Sequence, residues 1–252
     1  MTNYKEKTTW FSPRTKLQTQ LVRWGHMGQP VLVFPTAGGD AEEIERMLMI
    51  KVLRPLIEAG RIKVYSVDSL AAATWGDTDK PARYCTWLQN RFDGYLYNEV
   101  VPAIRRDCDS DDIEIVVAGA SIGAFNAMAS ICRHPDVFKT AVCMSGTYDV
   151  ERFIKDRDGN PLSKGDLDFY FSSPLQYLPG LGDSAQLRML RKRTIYMGHG
   201  GGPWEDPKQC WTMAKILGSK GVPNRVDPWG PDFGHDWPTW RNWLPKYLSE
   251  IA

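Results

Sequence analysis

Short apolar runs alternate with longer stretches of helical periodicity along most of the chain. Apolar runs rich in β-branched residues and bounded by turn residues predict strands, while apolar positions three or four residues apart predict helices. A more polar strand pair comes first, at 8–22, with a turn at Ser12 to Arg14. The strands predicted after it cover 30–35, 61–68, 113–118, 140–146 with its turn, 193–197 and 225–229.

Helical periodicity fills the stretches between these strands. Pro55 is predicted to kink or divide the first helix, and the irregular stretch 151–181 is predicted to be an insertion near the active site. The alternation predicts one α/β domain over residues 1–252, with a mostly parallel central sheet and helices on both faces. In such sheets the functional site lies beyond the carboxyl ends of the strands. The predicted helices cover 41–60, 84–106, 124–129, 207–218 and 237–251.

A G-x-S-x-G motif, Gly119 to Gly123, stands between the strand at 113–118 and the Ala-rich helix after it. This context is typical of the nucleophile elbow, a sharp turn that exposes a serine hydroxyl. The two glycines remove Cβ atoms where strand and helix pass closely, and the helix N-terminus directs free N–H groups at the serine. We therefore predict Ser121 as a nucleophile. The alternative is a tight turn with an incidental serine, so a later histidine and carboxylate must agree.

The composition of the chain indicates which binding partners and which cellular compartment to expect. The chain has 252 residues, 24% charged residues and a net charge of +1, which does not favour nucleic acid or an anionic membrane as a partner. Its first seven residues are polar and no run is long enough to span a bilayer, so neither a signal peptide nor a membrane segment is expected. Five scattered cysteines without C-x-x-C spacing predict free thiols in a cytoplasmic protein and no zinc site.

Four histidines are candidates for the base that would serve Ser121. His26 lies in a glycine turn and His134 follows the elbow helix, so both are expected to be structural. His235 comes late in the chain, after the last predicted strand, which is the position of the base in the order nucleophile, acid, base. His199 opens a His-Gly-Gly-Gly run that resembles a lipase oxyanion motif, but it follows a late strand. We therefore predict that this run is the flexible loop that carries the acid.

Two adjacent carboxylates follow the strand at 193–197 and precede the next helix, Glu205 and Asp206. One of them is predicted to accept a hydrogen bond from Nδ1 of the base and the other to cap the helix, and both assignments remain open. Asp227, Asp232 and Asp236 are rivals for the acid, although Asp236 more simply caps the final helix.

Two backbone N–H groups are needed to stabilise the oxyanion of a tetrahedral intermediate. One is predicted at Ile122, directly after the nucleophile, and the other at Thr36 or Ala37, after the strand at 30–35. Tryptophans on loops at the expected site edge could bind substrate or simply pack the loops. They are Trp75, Trp204 and Trp237.

Three motifs together resemble a known family. The stretches AGASIGAFNA around Ser121, MSGTYD from Met144 and GHDWPTW from Gly234 are similar to the putative-esterase, or esterase D-like, branch of the α/β-hydrolases. That branch includes S-formylglutathione hydrolases, feruloyl esterases, enterochelin esterases and mycolyltransferases. The resemblance spans roughly Val31 to Leu248 and implies an α/β-hydrolase fold with a minimal lid. It also implies Ser121 as nucleophile and His235 as base, and activity on carboxylic esters of small or medium alcohols.

Two departures from the family pattern concern the site. Ile122 replaces the Met or Leu that often follows the serine, and Gly201 stands where the acid often lies, so the acid must come later in a lengthened loop. The expected activity is hydrolysis of short-chain esters through an acyl-enzyme, with no metal or cofactor. The alternatives are a thioesterase or acyltransferase with the same triad, and a non-catalytic binding member of the fold. The expected partner is a small-molecule ester, and the aromatic content is compatible with a homo-oligomer.

Overall fold

One eight-stranded sheet organises the computed structural model, which describes residues 4–70, 74, 80–153 and 166–252. The order across the sheet is first, second, fourth, third, fifth, sixth, seventh and eighth strand. The first two strands and the second and fourth pair in antiparallel fashion, and every other neighbouring pair is parallel. The mostly parallel sheet predicted from the sequence is therefore confirmed. The strands are β1 (Lys5–Phe11), β2 (Gln18–Trp24), β3 (Gln29–Phe34), β4 (Ile62–Val67), β5 (Ile115–Ala120), β6 (Phe138–Met144), β7 (Thr194–His199) and β8 (Asn224–Pro228).

Helices connect the parallel strands. A π-helical turn at Leu96–Val100 joins two of them into one continuous helical stretch, and short 3₁₀ turns lie at Glu151–Phe153 and Leu178–Gly180. The helices are α1 (Glu43–Arg46), α2 (Met49–Glu58), α3 (Ala82–Tyr95), α4 (Val101–Asp107), α5 (Ile122–Arg133), α6 (Leu167–Ser172), α7 (Pro174–Tyr177), α8 (Ala185–Leu190), α9 (Pro207–Ser219) and α10 (Trp237–Ile251).

Each face of the sheet has its own apolar core. Along β5, Ile115 and Val117 face the core that contains α3, α5 and α9, while Val116 and Ala118 face the core formed with α2 and α10. Side chains of a strand alternate between faces, so a strand covered on both sides must be apolar throughout. This explains why β5 reads as an unbroken apolar run in the sequence.

The strand order reverses around β3. The chain passes from β3 to β4 on one side and then returns to place β5 on the other side of β3. Such a reversal opens a crevice beyond the carboxyl ends of the two strands, where α/β sheets bind their ligands. The loop after β3 and the turn after β5 both open into this region.

The first predicted helix, 41–60, is divided at a different residue from the one expected. α1 ends at Arg46 and α2 begins at Met49, because Leu48 between them adopts the left-handed conformation with φ 63°. Pro55 lies inside α2. Pro55 is the seventh residue of α2 and does not divide it, so the predicted division at the proline was wrong.

The remaining boundaries differ by a few residues. β5 continues two residues beyond the predicted end at Ala118, and β7 continues to His199, two residues beyond Met197. In the described part of 151–181, short helices bury Phe169, Tyr177 and Leu178 against the domain. Among the described helices, none is both long enough and apolar enough to cross a bilayer.

Candidate active site

Ser121 occupies the turn between β5 and α5 in a strained backbone conformation. Its φ is 56° and its ψ is −121°, values that a residue with a Cβ atom rarely adopts. Hydrogen bonds hold the turn from both sides, because the Ser121 N–H donates to the Met144 carbonyl at 3.0 Å and the Ser121 carbonyl accepts from the Thr147 N–H at 3.1 Å. These bonds fix the backbone of the turn, and the Ser121 side chain is half-buried at the end of β5.

The two glycines of the motif are required by close backbone contacts. A Cβ on Gly119 would lie 2.3 Å from the carbonyl carbon of Gly123, and a Cβ on Gly123 would lie 2.6 Å from the carbonyl oxygen of Phe34. No side chain fits at such distances. The strand, tight turn and helix predicted around Ser121 are therefore present, and α5 begins directly against the end of β3.

The start of α5 supplies backbone donors beside Ser121. The first N–H groups of a helix have no partner within it, and the helix dipole adds partial positive charge at the same end. Ile122 is the first residue of α5, and its side chain is buried. Its N–H is consequently available next to the serine.

The two residues considered for the second oxyanion donor, both in the loop after β3, differ in their hydrogen bonds. The Thr36 N–H donates to Glu43 Oε2 at 2.7 Å, and the Thr36 hydroxyl donates to Oε1 of the same carboxylate at 2.6 Å. The Ala37 N–H makes no hydrogen bond with any of the residues that the structure describes, and Ala37 is exposed. Of the two alternatives, Ala37 therefore keeps a free donor.

His235 lies in a loop that is bonded to the loop after β7. The His235 N–H donates to the Pro203 carbonyl at 3.0 Å, and the N–H groups of Gly201 and Gly202 donate to the carbonyls of Gly230 and Phe233. These two loops, 200–206 and 230–236, form a pair that we call the clamp loops. They bring the histidine and the two candidate acids to one end of the sheet.

Burial lowers the pKa of His235, because it disfavours the charged imidazolium. The carboxylates of Glu205 and Asp236 act in the opposite direction and raise that pKa, Glu205 more strongly. The net direction is downward, so the neutral imidazole, which can accept a proton, is favoured near neutral pH.

Glu205 and Asp206 have different surroundings. Glu205 Oε1 accepts a hydrogen bond from the Ser145 hydroxyl at 2.5 Å, and the Ser145 oxygen accepts in turn from Trp240 Nε1 at 2.9 Å. Asp206 is exposed and stands at the N-cap of α9, where its Oδ2 accepts from the Gln209 side chain at 3.2 Å. Of these two adjacent carboxylates, Glu205 is the one that Ser145 holds by a hydrogen bond and that raises the pKa of His235.

The rival carboxylates have other partners. Asp227 accepts from the Tyr247 hydroxyl and pairs with Arg225. Asp236 caps α10, as the sequence indicated, by accepting from the Trp237 N–H at 2.6 Å. Asp232 is exposed in the turn between β8 and α10.

The other histidines divide into surface and structural residues. His26 is exposed in its turn, and His134 ends α5 with Nε2 at 3.0 Å from Asp93. His199 is buried and belongs to β7, so the expectation that it opens a flexible loop was wrong. The loop begins at Gly200, where a Cβ would lie 1.8 Å from the Phe233 carbonyl oxygen.

The three tryptophans named from the sequence have different environments. Trp204 is 90% exposed and has a φ of 66°, directly before Glu205. Trp237 is 8% exposed and packs in the core at the start of α10, with its ring centroid 5.3 Å from that of Trp240. Trp75 lies outside the described residues. No cluster of three metal-ligating side chains occurs within the described residues.

Sequence reasoning missed Ser145 and Trp240, which contact the candidate acid and base. Both stand in stretches that carried the family resemblance, one after the Met that ends β6 and the other in the His-Asp-Trp-Pro-x-Trp run. Their hydrogen bond spans 95 positions, so only the folded structure shows that they are neighbours.

Comparisons with known proteins identify a family and a fold for the chain. A model of the family described as "Putative esterase" matches residues 66–250, whereas no curated protein matches the chain. A ferulic acid esterase structure is 16% identical over 98% of both chains, with a TM-score of 0.72. An S-formylglutathione hydrolase from Agrobacterium tumefaciens is 12% identical, with a TM-score of 0.71 over 99% of this chain and 96% of that one.

A third solved structure is fluorophosphonate-binding serine hydrolase F of Staphylococcus aureus. It is 13% identical over 98% of this chain and 97% of that chain, with a TM-score of 0.71. At these identities the likeness establishes the fold alone. Together with the sheet order, it shows the α/β-hydrolase fold that the sequence resemblance implied.

Proposed function

The chain belongs to the putative esterase family and is a carboxylic ester hydrolase, and from this premise we propose that it works through a Ser121, His235 and Glu205 triad. The observation that carries the proposal is the strained elbow at Ser121, which stands at the switch point of the sheet. A non-glycine residue in a rarely populated conformation persists only where the surroundings enforce it, and such residues cluster at functional sites.

In the first half of the reaction, the Ser121 hydroxyl attacks the ester carbonyl carbon while His235 Nε2 takes its proton. The tetrahedral intermediate places negative charge on the former carbonyl oxygen, and the N–H groups of Ile122 and Ala37 stabilise it. The intermediate collapses, the bond to the alcohol breaks, and the imidazolium returns the proton to the leaving oxygen. The acyl group then remains on Ser121.

In the second half, water replaces the serine as nucleophile. His235 takes a proton from water as the water oxygen attacks the acyl carbon, and the second intermediate expels the Ser121 oxygen, which recovers the proton. The products are the carboxylic acid and the free enzyme. The lowered pKa of His235 supports this role, because only the neutral ring can accept a proton.

Glu205 is the proposed acid, in preference to Asp206. Its carboxylate is held by Ser145 and its charge acts on His235, whereas Asp206 is exposed at a helix end. A carboxylate beside the imidazole fixes the tautomer and stabilises the imidazolium that forms during attack.

The substrates we propose are carboxylic esters with short acyl chains. Among the described tryptophans, Trp204 beside Glu205 is the most exposed, and Trp237 is buried in the core. A large aromatic surface next to a site gains free energy when an apolar group covers it. Trp204 is therefore proposed to form one edge of the substrate site.

A panel of p-nitrophenyl esters from acetate to octanoate tests this function, with wild type and Ser121→Ala measured together. The wild type is expected to hydrolyse acetate or butyrate fastest. The alanine variant is expected to lose about 10⁴-fold or more of kcat, because nucleophile and base act as a unit. If Ser121→Ala retains more than a few per cent of the activity at an unchanged Tm, the proposed mechanism is wrong.

A further inference from the structure

We propose that Ser145 and Trp240 are positioning residues that hold the Glu205 carboxylate against His235. The inference rests on the proposed function, because it concerns how that acid and that base are kept in register. Neither residue would contact the reacting atoms. Their role would be to fix the distance and orientation between two groups carried by separate loops.

The hydrogen bonds between the three side chains can run in only one direction. An indole N–H is a donor only, and an ionised carboxylate is an acceptor only. Trp240 Nε1 must therefore donate to the Ser145 oxygen, and the Ser145 proton must point at Glu205 Oε1. Ser145 is 3% exposed and Trp240 is 4% exposed, so water does not compete for these groups. The serine hydroxyl has no rotational freedom left.

Trp240 also contacts the base directly. Its ring centroid lies 5.3 Å from that of His235, with the two planes at 80° to each other. One side chain thus touches the imidazole and, through Ser145, holds the carboxylate. A shift of either clamp loop would disturb one of the two contacts.

The backbone of Ser145 is fixed as firmly as its side chain. It has a φ of 47°, in the left-handed region, and its N–H donates to the Gly198 carbonyl at 2.8 Å. A glycine would adopt this conformation without strain, whereas a serine carries a cost that its side-chain contacts must offset. The hydroxyl, which joins β6, α10 and the loop after β7, is what the serine adds.

Glu205 needs such an anchor because no other hydrogen bond within the described residues holds its side chain. The residues before it are Gly200 to Gly202, Pro203 and the exposed Trp204, and a glutamate side chain has several rotamers. The bond at Oε1 selects one of them. Within the described part of the chain, Oε2 has no hydrogen-bond partner and is the oxygen proposed to accept from His235 Nδ1.

A double-mutant cycle separates this role from a general structural one. Ser145→Ala, Glu205→Gln and the double variant are compared in kcat and KM on the preferred short-chain ester. We expect Ser145→Ala alone to lower kcat about tenfold or more with little change in KM, as for loss of a hydrogen bond to a charged group. In the Glu205→Gln background the same change should cost less than about twofold, since its target is already gone.

An equal loss in both backgrounds would overturn the proposal, because Ser145 would then act independently of Glu205. An unchanged kcat in Ser145→Ala would overturn it as well. If the alanine variant does not fold, Ser145→Gly removes the hydroxyl at a conformation that glycine adopts freely, and it is subject to the same criteria.

Trp240→Phe tests the other end of this chain of hydrogen bonds, which runs from Trp240 through Ser145 to Glu205. Trp243→Phe is the matched control. Trp243 is a buried tryptophan of the same helix, and its Nε1 has no hydrogen-bond partner within the described residues. Glu205 and Asp236 are the carboxylates that raise the pKa of His235. A displaced Glu205 should therefore move the acid limb of kcat/KM to lower pH in Trp240→Phe and leave it in place in Trp243→Phe.

An equal displacement of the acid limb in both tryptophan variants, or in neither, would contradict the positioning role. Failure of the proposed function looks different. It would show as wild-type activity in Ser121→Ala or Glu205→Gln, whereas failure of the positioning role alone leaves those two variants inactive.

Discussion

The elbow at 119–123 and the clamp loops at 200–206 and 230–236 hold their functional groups by different means. The elbow depends first on a contact within its own motif, because a Cβ on Gly119 would clash with Gly123, and Gly123 in turn lies against the end of β3. The clamp loops are fixed by hydrogen bonds between segments about thirty residues apart and by Ser145, which lies 60 positions from Glu205. The proposed nucleophile is therefore marked by a local motif, while the proposed acid depends on the assembled fold.

The largest effect on kcat is expected from the two adjacent carboxylates of the clamp loops, which should respond very differently to substitution. Glu205→Gln is expected to lower kcat by about 10³-fold or more, because the wrong tautomer and an unstabilised imidazolium both slow proton transfer. Asp206→Asn should change kcat only a few-fold, since it alters a helix cap. Steady-state kinetics of both variants provides the test. Equal and small effects would return Asp227 and Asp232 to consideration.

The same difference explains why the sequence predicted the elbow but left the candidate acid open. Gly119, Gly123 and the apolar run of β5 are adjacent, so the motif predicted both the turn and its neighbours. Chain order pointed to His235 as the candidate base. The sequence could not decide whether Glu205 or Asp206 is the candidate acid, because the contacts that distinguish them come from Ser145 and Trp240 on other elements.

Backbone conformation accounts for the other departures from prediction. The first helix breaks at Leu48, a residue with no sequence signal for a left-handed φ, while the conspicuous Pro55 stays inside α2. Likewise, nothing in the sequence indicates that the Thr36 N–H is already bonded to Glu43, which leaves Ala37 as the free donor.

The clamp loops pack so closely at Gly200 that one added methyl group should disrupt their contact. An added Cβ at Gly200 would lie 1.8 Å from the Phe233 carbonyl oxygen, so Gly200→Ala must push the loops apart. We expect destabilisation of about 1–3 kcal/mol and a kcat loss of about tenfold. Gly201→Ala is the control, because its nearest atoms lie at 3.6 Å, an ordinary contact distance. Thermal unfolding and kinetics that do not differ between these variants would contradict the close contact.

The pH dependence of kcat/KM tests the electrostatics of the clamp loops. In the proposed mechanism activity requires neutral His235, so kcat/KM should rise with pH through the pKa of His235 in the free enzyme. Burial lowers that pKa below the ordinary value of 6.5, and the midpoint of the acid limb should therefore lie below pH 6.5. In Glu205→Gln the midpoint should fall further, since the carboxylate that raises the pKa is gone. A midpoint above 6.5 in wild type would show that charge pairing outweighs burial.

The smallest effect is expected at the exposed surface of the clamp loops. Trp204→Ala should raise KM a few-fold for longer or aromatic esters and leave acetate almost unchanged, because only larger groups reach the indole. Trp211→Ala is the matched control, since Trp211 is an exposed tryptophan on the neighbouring helix α9. Parallel changes for all esters in both variants would argue against a substrate contact at Trp204.

The most direct test of an activated Ser121 is the site of covalent modification by a fluorophosphonate probe. Wild-type protein is labelled under native conditions, digested, and the modified peptide is identified by mass spectrometry, with His235→Ala treated in parallel. We expect one label on Ser121 and a labelling rate that falls by orders of magnitude in His235→Ala. A label on another residue, or labelling of Ser121 at the same rate without His235, would contradict this expectation.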